Sequence, residues 1–238
     1  MIKSKLIIFG IFLIALGSVC NAQKMGKHVF ILSGQSNMVG LNPENSFIPT
    51  LENYFGKEQI IVVKDAKGSQ AIRRWYKTLH TTVATDSTLN TYLYDQLMRK
   101  VDSAIQNKKV TTITFIWMQG ERDAREKLGA IYEESLVGLY KQVSADLKRD
   151  DVNFVIGRLN DFDMFNKKWP HWTMIREIQV KVGHSNPRFA WVDTDDLNDG
   201  INKKGESISN DLHMSVEGYQ LLGQRFAQKA IQLIKENK

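Results

Sequence analysis

A serine, a histidine and an aspartate stand in settings that suit nucleophilic catalysis. Ser36 follows the apolar run Val29-Phe30-Ile31-Leu32 and sits within Ser33-Gly34-Gln35-Ser36-Asn37-Met38. The run is rich in β-branched and aromatic residues and reads as a buried strand of a parallel sheet. In an open α/β sheet, ligands bind just beyond the carboxyl ends of the strands, so a serine at the following turn is well placed to act. Three readings compete for this stretch: an ordinary strand and polar turn, a phosphate cradle, or the nucleophile of a serine hydrolase. The phosphate reading fails in detail, because Gly34 and Gly40 are not followed by Lys-Ser/Thr and no G-x-G-x-x-G occurs. The hydrolase reading requires a histidine with an acidic neighbour, and Asp211-Leu212-His213 supplies one.

Three short blocks in this order carry a resemblance: Gly34-Gln35-Ser36-Asn37-Met38, Gln119-Gly120-Glu121-Arg122-Asp123 and Asp211-Leu212-His213. From about Val29 to its end the chain resembles the SGNH hydrolases, in the variant of carbohydrate esterase family six and the sialate O-acetylesterases. The resemblance implies a serine esterase that removes O-acetyl groups from carbohydrate, such as xylan or acetylated sialic acid. Ser36 would be the nucleophile and His213 the general base. The oxyanion hole would be formed by the N–H groups of Ser36 and Gly68 and the side chain of Gln119. Gln35, Asn37, Arg73, Trp75 and Arg158 are candidates for substrate binding: Trp75 would stack on a sugar face and one of Arg73 and Arg74 would pair with a carboxylate, the competing reading being a solvated, amphipathic helix start. The family usually has an aspartate three residues before the histidine, where this chain has Asn210; Asp211 lies only two before. The acid partner is therefore open between Asp211, favoured by proximity, and Glu121. Asn210 ranks last, because an imidazolium favours a carboxylate. The competing class is a non-catalytic carbohydrate-binding protein on the same fold.

Strand signals alternate with helix signals, as in βαβ units. Strands are expected at 28–33, 60–63, 110–117, 152–156 and 189–192, with helices over 89–105, 131–147, 172–182 and 216–235, the last capped by Ser215. Residues 41–58 read as loop. The fold class is α/β: a three-layer α/β/α sandwich with a five-stranded parallel sheet, flavodoxin-like; the resemblance, with right-handed crossovers, implies the order 2-1-3-4-5. Every polar block follows the end of a strand, so the blocks gather at one edge of the sheet.

The 238 residues suffice for one such domain over 23–238. Lys3 and Lys5, the apolar run Leu6–Leu16 and a small-residue end at Ala22 predict a signal peptide over 1–22, and hence a periplasmic or secreted protein. Lipidation at Cys20 ranks second, since Val19 fits it poorly. Cys20 is the sole cysteine, so the mature chain would hold no disulfide and no thiolate site. The net charge of +6 is scattered in small pairs, which argues against nucleic acid as a partner. The expected partner is an acetylated carbohydrate, with no membrane contact once the leader is cleaved. No metal site is expected. His-Glu-x-x-His is absent, and the stretch 195–206 departs from a calcium loop at Leu197, leaving a polar connection. Ser-His ester hydrolysis calls for no cofactor.

Overall fold

Apolar runs buried on both faces build the centre of the molecule. The computed structural model describes residues 26–77 and 91–237. Five strands, β1 (Lys27–Gly34), β2 (Ile60–Ala66), β3 (Val110–Met118), β4 (Asn153–Gly157) and β5 (Phe189–Val192), pair in parallel in the order β2-β1-β3-β4-β5. This is the expected order. The helices are α1 (Ser36–Gly40), α2 (Phe47–Phe55), α3 (Tyr92–Ile105), α4 (Glu121–Arg125), α5 (Gly129–Asp146), α6 (Trp172–Gly183) and α7 (Val216–Glu236). A hairpin of β6 (Gly200–Ile201) and β7 (Ser207–Ile208) stands apart from the sheet.

Alternate strand residues feed two separate cores. Phe30, Leu32, Ile116, Met118 and Val155 pack against Phe47 and Leu51 of α2 and Leu222 and Phe226 of α7. Val29, Ile31, Phe115, Trp117 and Phe154 pack against Leu97 and Val101 of α3, Leu136 of α5 and Ile175 of α6. Burial on both faces is why these strands read as continuous apolar runs rather than alternating ones. Each such side chain contributes about 1.5–3 kcal/mol relative to exposure.

Gly34 ends β1 at φ +145, and a Cβ there would lie 1.9 Å from the Met118 carbonyl oxygen. Only glycine lets β1 run this close to β3 while turning out of the sheet toward α1. At the other end of the chain, Ser215 Oγ accepts the N–H of Gly218 at 3.0 Å and caps α7, as expected.

Two stretches differ from the sequence reading. Residues 41–58 hold α2, whose third residue is Pro49. A proline in the first helical turn breaks no intrahelical hydrogen bond, so it reads as a loop signal without being one. The polar connection 195–206 carries β6 and the turn into β7. The expected signal peptide and the residues Leu89 and Asn90 of the helix expected over 89–105 lie outside the described residues.

Candidate active site

β1 delivers Ser36 to the first turn of α1, at the carboxyl edge of the sheet. An N–H in a first turn has no acceptor within its helix. Among the described residues the N–H of Ser36 makes no hydrogen bond. β2 ends at Ala66, and Lys67 donates its N–H to the Gly34 carbonyl at 3.0 Å. The next residue, Gly68, is thereby folded over the serine: a Cβ added to it would lie 3.8 Å from Ser36 Cβ. The Gly68 N–H is likewise unengaged among the described residues. Ser69 takes a left-handed φ of 61, and Gln70 Nε2 donates to the Gly68 carbonyl at 3.1 Å, so the loop has a defined shape. Two unengaged N–H groups thus lie beside one hydroxyl, which is the donor set an oxyanion hole requires.

The histidine lies in the turn before α7. Asp211 Oδ1 accepts the His213 N–H at 2.8 Å and lies 3.9 Å from His213 Nδ1. Three asparagines fasten this turn. Asn160 and Asn198 donate from Nδ2 to the Asp211 carbonyl at 3.0 and 3.1 Å, and Asn37 donates to the Leu212 carbonyl at 3.1 Å. Asn198 carried no signal beyond its place in a polar stretch after β5. Asn210 takes a left-handed φ of 47 and donates its N–H to Asp199. No hydrogen bond among the described residues joins Ser36 to His213; catalytic hydrogen bonds often tighten only with substrate present.

A buried polar layer supports both. Asn37 Nδ2 also donates to Glu121 Oε1 at 3.0 Å, and Asn37 Oδ1 accepts from Tyr219 Oη at 3.0 Å. Glu121 is fully buried, its Oε2 has no partner, and burial pushes its carboxyl up to about 7. Burial likewise raises Asp123 to about 6, although Gln119 Nε2 and the Ile72 N–H donate to it. Gln35 Oε1 accepts from the Arg122 N–H and from Gln119 Nε2, tying the serine turn to the start of α4.

Several expected contacts fall elsewhere. Gln119 is fully buried, and its amide N–H groups serve Gln35, Asp123 and the Gln70 carbonyl. It holds the Gly68 loop from behind instead of facing an oxyanion. Trp75 is packed edge-on against Trp117, with centroids 5.2 Å apart, and is buried in the core. It offers no face to a sugar. Gln35 and Asn37 are buried and bonded internally, which makes them supports of the site. Arg73 and Arg122 both pair with Glu126. Arg158 is held by Asp193 and Asp195 and lies 4.9 Å from the Trp191 ring centroid. Among the described residues no group of three or more His, Cys, Asp or Glu side chains is placed to hold a metal ion.

This arrangement can be set beside known proteins. A family model described as carbohydrate esterase, sialic acid-specific acetylesterase matches residues 39–232. The chain belongs to this family. It is therefore a carbohydrate esterase, a carboxylic ester hydrolase. The match takes in the Gln119 and Asp211–His213 blocks and begins just after the Ser36 turn. Nothing among the curated proteins matches it. The esterase is similar in structure to a protein from Arabidopsis thaliana, with 18% identity and a TM-score of 0.65 over 87% of this chain and 99% of that one. A carbohydrate acetylesterase from Xanthomonas citri gives 19% identity and a TM-score of 0.64, over 86% of this chain and 56% of that one. NanS gives 15% identity and a TM-score of 0.58, over 80% and 70%. These three share the fold.

The raised Glu121 carboxyl makes the esterase's stability depend on pH. An unfolded glutamate titrates near 4.5, whereas Glu121 in the folded chain titrates near 7. Between these values the folded chain keeps a proton that the unfolded chain has lost, so stability falls as pH rises through that window. Glu121→Gln removes this contribution. The fall in urea midpoint between pH 4.5 and 7 should become shallower in the variant, with the Asp123 contribution remaining. An unchanged slope would show that Glu121 is ionised throughout.

Proposed function

We propose that the protein is an exported serine esterase that removes O-acetyl groups from carbohydrate. The observation that carries this reading is the pair of unengaged N–H groups, from Ser36 and Gly68, beside the partly exposed Ser36. Ser36 Oγ attacks the acetyl carbonyl carbon while His213 Nε2 takes its proton. The N–H groups of Ser36 and Gly68 bind the carbonyl oxygen as it becomes negative. The bond to the sugar oxygen then breaks, and His213 returns the proton to that oxygen, releasing the sugar as an alcohol. Water, deprotonated by His213, attacks the acetyl-serine and frees acetate. Asp211 is the carboxylate partner of His213. Its contact with the histidine supports this, as does the burial of Glu121 against Asn37. Gln119 acts behind the site, holding the loop that presents Gly68. The chemistry calls for no cofactor.

The substrate is an O-acetylated carbohydrate, either acetylated sialic acid or an acetylated polysaccharide such as xylan. Acetate release from a panel of both kinds separates the two. The leader reading places cleavage after Ala22. It is supported by the Lys3/Lys5 start and the Leu6–Leu16 run, and mass spectrometry of the exported protein tests it: a lipid-modified mass beginning at Cys20 would replace it.

Ser36→Ala should lower kcat on p-nitrophenyl acetate on the order of 10⁴-fold, since nucleophile and base act as a unit. Asp211→Asn should cost more kcat than Glu121→Gln. Sizeable activity in the Ser36 variant would move the nucleophile elsewhere, and the reverse order of the two acid variants would move the acid to Glu121.

A further inference from the structure

Trp75, the aromatic residue expected to meet a sugar, is buried, yet a segment bonded at both ends to elements of the site carries an exposed ring. After β4 the chain leaves the site edge of the sheet through Arg158–Asn160 and reaches α6 along the segment 161–171. Both ends of this segment are fastened to site elements. At its start Asn160 donates to the Asp211 carbonyl, and Asn198 Nδ2 donates to Asp161 Oδ1 at 3.1 Å. At its end the His171 N–H donates to the Ala124 carbonyl of α4 at 3.2 Å, and His171 Nδ1 accepts from the Gly129 N–H at 3.0 Å. α4 is the helix whose Arg122 N–H holds Gln35, the neighbour of Ser36. The segment therefore runs along the rim from the histidine turn to α4.

The segment is also held in one shape. The buried Asp163 carboxylate accepts three backbone N–H groups, those of Lys167, Lys168 and Trp169, at 3.0, 2.8 and 2.6 Å. Asn166, at a left-handed φ of 54, exchanges two hydrogen bonds with Thr173 at 2.8 and 3.0 Å. Phe162 and Trp169 turn inward and pack on Trp172, with centroids 5.5 and 5.7 Å away. Against this ordered base Phe165 points outward, 83% exposed, with Met164 45% exposed beside it. Lys167 Nζ lies 5.5 Å from the Phe165 ring centroid. A single exposed apolar side chain on a surface needs no explanation. An aromatic ring paired with a cation, on a loop whose two ends are bonded to the histidine turn and to α4, has the form of a recognition element. It offers an aromatic platform with an ammonium held over the ring.

We propose that Phe165 is a specificity-determining residue of the esterase, packing the ring face away from Lys167 against the C–H face of the sugar that bears the acetyl group, with the Lys167 ammonium donating to a hydroxyl of that sugar. The inference rests on the reading of the site as a carbohydrate deacetylase and adds the residue that recognises the sugar ring. Stacking of this kind acts on substrate and transition state alike, so its loss appears in KM.

The test compares the full chain with its Phe165→Ala and Phe165→Trp variants on an acetylated oligosaccharide and on p-nitrophenyl acetate, which has no sugar. Phe165→Ala should raise KM for the oligosaccharide about tenfold, equivalent to about 1.4 kcal/mol. Its kcat should change far less, and the loss on p-nitrophenyl acetate should be much smaller than the loss on the sugar. Phe165→Trp should restore the sugar KM. The side chain is exposed, so the melting temperatures should agree. Unchanged sugar kinetics in Phe165→Ala, or a parallel loss on both substrates, overturns the role of Phe165 and leaves the deacetylase reading standing. A wild-type chain that releases acetate from neither substrate overturns that reading and this inference with it.

Discussion

The side-chain amide of Asn37 joins three parts of the chain that are far apart in sequence: the serine turn, α4, and the histidine turn with the start of α7. It follows Ser36 directly, donates to Glu121 of α4 and to the Leu212 carbonyl beside His213, and accepts from Tyr219 of α7. Both hydrogens and the oxygen are engaged at 3.0 to 3.1 Å in a buried setting. A buried amide with a lost partner costs about 1–3 kcal/mol, so the elements it joins are constrained to move together. The serine turn follows β1, an inner strand of the sheet, and the histidine turn lies near the end of the chain. No direct bond between Ser36 and His213 aligns them; the shared amide does.

Glu121 shows what this constraint entails. A fully buried carboxyl with one unpartnered oxygen is unfavourable as an anion, and its rise to about 7 reflects that. Its place in the site follows from its bond to Asn37. Gln119 and Gln35 act in the same way one layer further back, linking the Gly68 loop to the start of α4. Most of the polar residues in the first two blocks are buried and bonded to one another.

The sequence made the sheet legible because its strands are buried on both faces and so appear as unbroken apolar runs. Their order followed from the resemblance together with right-handed crossovers between them. Ser215 was legible as a cap because its chemistry is local. α2 was not, because Pro49 is a loop signal whose meaning depends on falling in a first helical turn. The site divided along the same line. Ser36 and Gly68 are marked by residue type and position after strands, and Asp211 and His213 by residue type and position before the last helix. The direction in which Gln119 and Trp75 point is decided by partners distant in sequence. Trp75 meets Trp117, and Gln119 meets Gln35, Gln70 and Asp123. No local pattern encodes such partners, and the same is true of Asn198 beneath the histidine turn.

The alignment of Ser36 with His213 through Asn37 is tested most directly by the rate at which a serine-directed phosphonate modifies Ser36 in Asn37→Ala. The variant keeps the serine, the histidine and both N–H donors. A displacement of about 1 Å between nucleophile and base costs on the order of 10²-fold. The account predicts a folded variant whose modification rate falls by about that factor. A folded variant modified within about twofold of the wild-type rate, well short of the misalignment cost, would show that the two residues are aligned without the amide.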